Sequence, residues 1–204
     1  MKKVLLIGDS ISLYYSPFLA SCILGKAELH NKEGRREAFT DLDKPIGGNG
    51  GDSSMVLDYL KKRSAENSLD YDLFIFNCGL HDIKRLDDGE CVISEEDYKR
   101  NLSEILSLSA KHNIKTLFIT TTHVEDERHN ARKQLGFTRY NRDVKRYNQI
   151  ALSVMNEKQI PVIDLFAFTN KLNGEIFIDH VHFSEEVRKK QAEFIADEIS
   201  DYLE

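Results

Sequence analysis

The sequence predicts an α/β fold, a parallel sheet with helices on both faces, and three observations predict it. Four short apolar runs, VLLIG at 4–8, LFIFN at 73–77, TLFIT at 116–120 and PVIDL at 161–165, are continuous rather than alternating, as strands buried on both faces should be. Longer stretches with helical spacing separate them, so strand and helix alternate as in βαβ units. No internal repeat, low-complexity tract or Pro/Gly-rich linker breaks residues 1–204, so the chain reads as one domain.

Taken in order, the first run ends in Gly8-Asp9-Ser10, where a helix should open. Residues 25–46 carry no clear period and predict a short edge strand and a loop. The glycine-rich turn GGNGGDSS at 47–54 precedes a second helix, and the run at 73–77 leads into Cys78-Gly79-Leu80-His81-Asp82. Ser94 is placed to cap a helix with Tyr98, Leu102, Ile105, Leu106 and Leu108 on its apolar side and Glu96 and Glu104 on its polar side. After TTTH at 120–123, a helix is predicted from about Thr138 through Val144, Tyr147, Ile150, Ala151 and Val154. The last opens near Ser184, an N-cap followed by Glu185 and Glu186 where the helix dipole favours acid, and should bury Val187, Phe194, Ile195 and Ile199.

Composition narrows the function. Hydrophobic residues at 41% and charged residues at 30% give the balance of a folded chain, and the net charge of −6 disfavours a nucleic-acid partner. The opening MKKVLLIGDS holds only four apolar residues after its lysines, short of the about 7–15 of a signal peptide, and no run approaches the ~20 that span a membrane. The expectation is therefore a cytoplasmic protein with no membrane partner. Cys22, Cys78 and Cys91 are far apart, lack metal-ligand spacing and read as free thiols.

Ligands of such sheets bind at the carboxyl ends of the strands, and the reactive-looking residues fall there. Ser10 either caps the first helix or is a nucleophile assisted by the helix N-terminus. Asp179 and His182, three apart, suit a carboxylate that orients an imidazole base, or else form a surface turn in which Asp179, His180 and Ser184 cap the last helix. The turn at 47–54 offers closely spaced N–H groups for a phosphate or an oxyanion, or needs glycine only for its shape; it is not a P-loop, nor a dinucleotide fingerprint.

In order, Gly8-Asp9-Ser10, the glycines before the second helix, a Gly-x-x-Asp after the middle strand and Asp179-x-x-His182 resemble the four blocks of the SGNH hydrolases, also called the GDSL esterase/lipase family. The resemblance runs from residue 4 to about 190 and implies a three-layer α/β/α sandwich with a mostly parallel, flavodoxin-like sheet. It implies Ser10 as nucleophile, His182 as base and Asp179 as its carboxylate, with oxyanion donors from the backbone of Ser10 and Gly51. Where that family has Gly-x-Asn-Asp, this chain has Gly79-Leu80-His81-Asp82, so His81 stands in place of the asparagine donor; Asn77 is the other local candidate, and Asp82 is expected to fix the loop. The implied activity is hydrolysis of a small acyl ester, acetyl first, on a small molecule such as an acetylated sugar, with no cofactor.

Two other readings remain open on sequence alone. Asp9, His81, Asp82, His123, Asp179, His180 and His182 could build a two-metal phosphoesterase site, although an early Asp-x-His is missing and Ser10 and Gly51 would have no role. A non-catalytic sugar-binding module is the third. Segment 123–148 carries Arg128, Arg132, Lys133, Arg139, Arg142, Lys145 and Arg146, either a wall for a polar or anionic substrate such as an acetylated sugar or a solvated face. Tyr14 and Tyr15 either line the pocket or pack.

Overall fold

The computed structural model describes residues Met1–Glu204. The strands are β1 (Lys2–Ile7), β2 (Ala27–Asn31), β3 (Leu73–Phe76), β4 (Lys115–Ile119) and β5 (Val162–Ile163), all parallel, in the order β2-β1-β3-β4-β5. Between and after them run α1 (Ser10–Cys22), α2 (Arg35–Ala38), α3 (Ser53–Ala65), α4 (Glu95–Lys111), α5 (Asp126–Asn130), α6 (Asn141–Glu157), α7 (Leu165–Asn170) and α8 (Glu185–Glu198). Helix α1 packs on α8 with α7 beside it, while α3 packs on α4 with α6 beside it. The sheet between these two sets makes the three-layer α/β/α arrangement, with β3 at its centre between β1 and β4.

The continuous apolar runs are explained by this placement. Every residue of β3 is buried, as are Val4 to Ile7 of β1 and Thr116 to Ile119 of β4, because each has helices above and below. Phe74 stacks on Phe76, which meets Phe118 edge-on across the β3–β4 pair. Both predicted serine caps form: Ser94 Oγ accepts from Asp97 N at 3.1 Å and Ser184 Oγ from Val187 N at 3.4 Å. No helix is long and apolar enough to cross a membrane.

Three local expectations shift. The helix expected from about Thr138 begins at Asn141, because Thr138 exchanges two 2.9 Å backbone hydrogen bonds with Arg85 and is held extended. The run at 161–165 yields a strand of only two residues, because Asp164 turns its carboxylate onto Ala167 N at 3.0 Å and starts α7, which the sequence reading missed. Phe194 is half-buried, stacked on Phe168 of α7 rather than sunk in the core. The difficult stretch 25–46 does supply the edge strand, β2, and adds the short helix α2.

Candidate active site

The strand-to-helix turn after β1 decides what Ser10 does. A side chain at Gly8 would put its first carbon 2.0 Å from Ser12 Oγ, so only glycine lets α1 start this tightly. Asp9 is the N-cap, accepting from Ile11 N at 2.9 Å. Ser10 is thereby relieved of capping, and its Oγ lies 2.8 Å from His182 Nε2. His182 Nδ1 lies 2.7 Å from Asp179 Oδ2, while Asp179 Oδ1 accepts from Val181 N at 2.9 Å and from His182 N at 2.8 Å.

That geometry sets the tautomer. Burial works to raise the Asp179 pKa, but the hydrogen bonds and charge it shares with His182 and the two backbone N–H groups hold it well below the usual carboxylate range. An ionised Asp179 can only accept, so His182 Nδ1 carries the proton and Nε2 offers its lone pair to the Ser10 hydroxyl. Asp179 does not cap α8; Ser184 alone does. Ser10 and His182 are each only 2% exposed.

The other blocks surround this pair. The N–H of Gly50 donates to Gly8 O at 2.8 Å, which seats the glycine loop against the end of β1. Gly51, expected from the resemblance to offer its backbone N–H to an oxyanion, has φ +74° and donates that N–H to Asn49 Oδ1 at 3.0 Å. Asn49, fully buried, makes this Asx-type turn two residues back. Asn77 is also committed, donating to Ile119 O at 2.8 Å and Thr121 Oγ1 at 3.2 Å, so it clamps β3 to the end of β4. Asp82 does fix its loop, its Oδ1 accepting from Ser53 N at 2.9 Å at the start of α3, and burial pushes its pKa up to about 7.

His81 is different. It is 2% exposed and neither ring nitrogen has a hydrogen-bond partner. Burial first, then the charges of Arg139, Lys84 and His182, push its pKa well below the usual imidazole range, so the ring is neutral and carries one unused N–H donor.

No family model matches the sequence, and no curated protein matches it either. Solved structures do. A lipase/acylhydrolase from Enterococcus faecalis superposes with a TM-score of 0.73 at 20% identity, covering 98% of this chain and 96% of that one. A carbohydrate acetylesterase from Sinorhizobium meliloti gives 0.69 at 14% identity over 98% and 99% of the two chains. A GDSL-like lipase from Bacteroides thetaiotaomicron gives 0.69 at 15% identity over 98% and 88%. The chain has the GDSL hydrolase fold.

Within the GDSL fold the remaining sequence candidates disperse. The seven side chains of the two-metal reading do not converge, and no three His, Cys, Asp or Glu side chains stand where they could share an ion. Asp9 caps α1, Asp82 holds Ser53, and His123 lies among the rings of Phe166, Phe177 and Phe183. His180 faces His129, Nδ1 to Nδ1 at 3.2 Å, and Asp43 at 3.7 Å, a pairing with no sequence signal. Of the basic segment, Arg128 pairs with Glu175, Arg146 with Glu95, and Arg139 is buried. Tyr14 stands edge-on to His182, centroids 5.3 Å apart, whereas Tyr15 is buried with its hydroxyl 3.1 Å from Ser12 Oγ.

Proposed function

We propose that the protein is a serine esterase that hydrolyses small acyl esters, acetyl esters of carbohydrates being the preferred class. The observation that carries this is the unbroken chain Ser10 Oγ, His182 Nε2, His182 Nδ1, Asp179 Oδ2, with links of 2.8 and 2.7 Å. Two neighbours of the same fold, a carbohydrate acetylesterase and an acetyl xylan esterase, support the choice of substrate class.

The chemistry follows from the protons. His182 Nε2 takes the Ser10 proton as Oγ attacks the ester carbonyl, and Asp179 stabilises the imidazolium that forms. His182 then protonates the departing alcohol, and water repeats the sequence to free the acid and Ser10. The negative oxygen formed in each half is held by the backbone N–H of Ser10 and the unused ring N–H of His81, each donor worth ~3 kcal/mol of barrier. Gly51 serves as the third donor only by exchanging its bond to Asn49 Oδ1 for one to the oxyanion.

The test is hydrolysis of 4-nitrophenyl acetate and of an acetylated sugar, with and without EDTA, by the parent and by Ser10→Ala. Turnover that survives chelation and falls by at least about 10⁴-fold in the variant is expected. Turnover that persists in Ser10→Ala, or that disappears only with EDTA, sinks the proposal.

A further inference from the structure

Arg139 is the largest side chain that the fold buries completely, at 1% exposure. Its guanidinium makes one hydrogen bond, from Nε to Leu80 O at 2.8 Å, and one long ion pair, from Nη1 to Asp43 Oδ1 at 3.7 Å, with the Phe137 ring 4.8 Å from its carbon. A guanidinium has five N–H donors, so burying one with so few acceptors is costly and calls for a reason. The one bond it makes lands on the residue before His81.

The rest of its segment is built to hold it there. Asn130 clasps its backbone from both sides, Nδ2 donating to Arg139 O at 2.9 Å and Oδ1 accepting from Arg139 N at 3.1 Å. Next door, Thr138 and Arg85 exchange backbone hydrogen bonds, so residues 130–139 grip the Gly79–Arg85 stretch at two points. His81 lies between them, buried and unpartnered.

We infer that Arg139 is a positioning residue for the oxyanion donor: through the Leu80 carbonyl it sets where the His81 imidazole stands. The kinetic consequence rests on the esterase reading; the structural one does not. Charge acts in the same direction as geometry. Arg139, Lys84 and His182 are the charged or titratable groups whose fields reach His81, and Arg139 is the strongest of them in disfavouring its protonation. The ring is thus kept as a neutral donor and does not compete as a second cation beside His182.

Arg139→Met removes the donors and the charge; Arg139→Lys keeps a cation with a single donor group. On 4-nitrophenyl acetate the Met variant is expected to lose about 10²-fold in kcat at nearly constant KM, and the Lys variant about tenfold. In a His81→Ala background no donor is left to place, and either change should cost less than about threefold. Spectra of the ¹⁵N-histidine-labelled protein supply a readout that needs no turnover: His81 titrates well below the usual imidazole range in the parent and at a higher pH in Arg139→Met. If the Met variant does not fold, Arg139→Gln, neutral but polar, replaces it in both measurements. Equal losses in the two backgrounds, a loss in KM alone, or an unchanged His81 titration in a folded neutral variant overturns the inference. Should the parent hydrolyse no ester, the esterase reading fails and the His81 titration alone decides the role of Arg139.

Discussion

The turn at Asp179–His182 and the loop at Gly79–Asp82 both bring a histidine to the carboxyl edge of the sheet, and they are built on opposite principles. In the turn, every bond that Asp179 makes to place the imidazole spans two or three residues: it reaches Val181 N, His182 N and His182 Nδ1. The loop has local turn bonds too, from Ile83 N to Gly79 O and from Lys84 N to His81 O. Its remaining anchors come from farther along the chain: Leu80 O is held by Arg139, Asp82 Oδ1 by Ser53 N and Asp82 O by Ile93 N. His182 is saturated, with partners on both nitrogens, while His81 has none. A base must be preset in one tautomer before substrate arrives. A donor to an oxyanion must be left empty until the oxyanion forms. Under the proposed esterase reading the two histidines differ as those two tasks differ.

The sharpest way to break the comparison is at the turn. Asp179→Asn keeps the size of the side chain but lets the amide donate to His182 Nδ1, which selects the wrong tautomer and should lower kcat by about 10³- to 10⁴-fold in the steady-state hydrolysis of 4-nitrophenyl acetate. A variant within tenfold of the parent would show that Asp179 does not set the tautomer.

The loop should be the more tolerant of the two. His81→Ala removes the empty donor and is expected to lose about 10²-fold in kcat, while His81→Asn restores an N–H and should stay within about tenfold of the parent. If both variants behave like the parent, His81 is not in the oxyanion hole.

The smallest effect distinguishes the two aspartates by the sign of their pH dependence. Asp179 is held low in the fold, so the stability it contributes is present above the unfolded value near 4 and is lost as pH falls through its folded value. Asp82 is pushed up to about 7 by burial, so the folded state binds the extra proton and the stability due to this group falls as pH rises from about 4 to 7. Asp82→Asn keeps an acceptor for Ser53 N–H and abolishes that loss. Its Tm should gain on the parent by roughly 3 °C or more between pH 5 and pH 8, read by thermal unfolding at both. No relative gain would mean that Asp82 is comfortably ionised in the fold.

The same contrast explains how much could be read beforehand. Ser94 and Ser184 cap as their neighbours imply, and β1, β3 and β4 fall on the apolar runs. Where a distant segment intervenes, reading fails: Thr138 is drawn out of α6 by Arg85, and Arg139, which looks like a surface cation in its own segment, is buried against Leu80. Asn49 is an intermediate case, since its hold on Gly51 is local but an asparagine among glycines gives no sign of which N–H it will accept from.

The sequence by itself therefore determined the α/β architecture, the strand ends at which the candidate residues sit, and a spacing that lets Asp179 reach His182, because apolar periodicity, caps and short turns act within a few residues. Tertiary structure decided that Ser10, 172 positions away, meets His182; that Gly51 is engaged; and that His81 is buried, neutral and unpartnered, with Arg139 bonded to the residue before it. Burial and the field of distant charges depend on what the folded chain brings alongside a residue, and neither is written in the residues next to it.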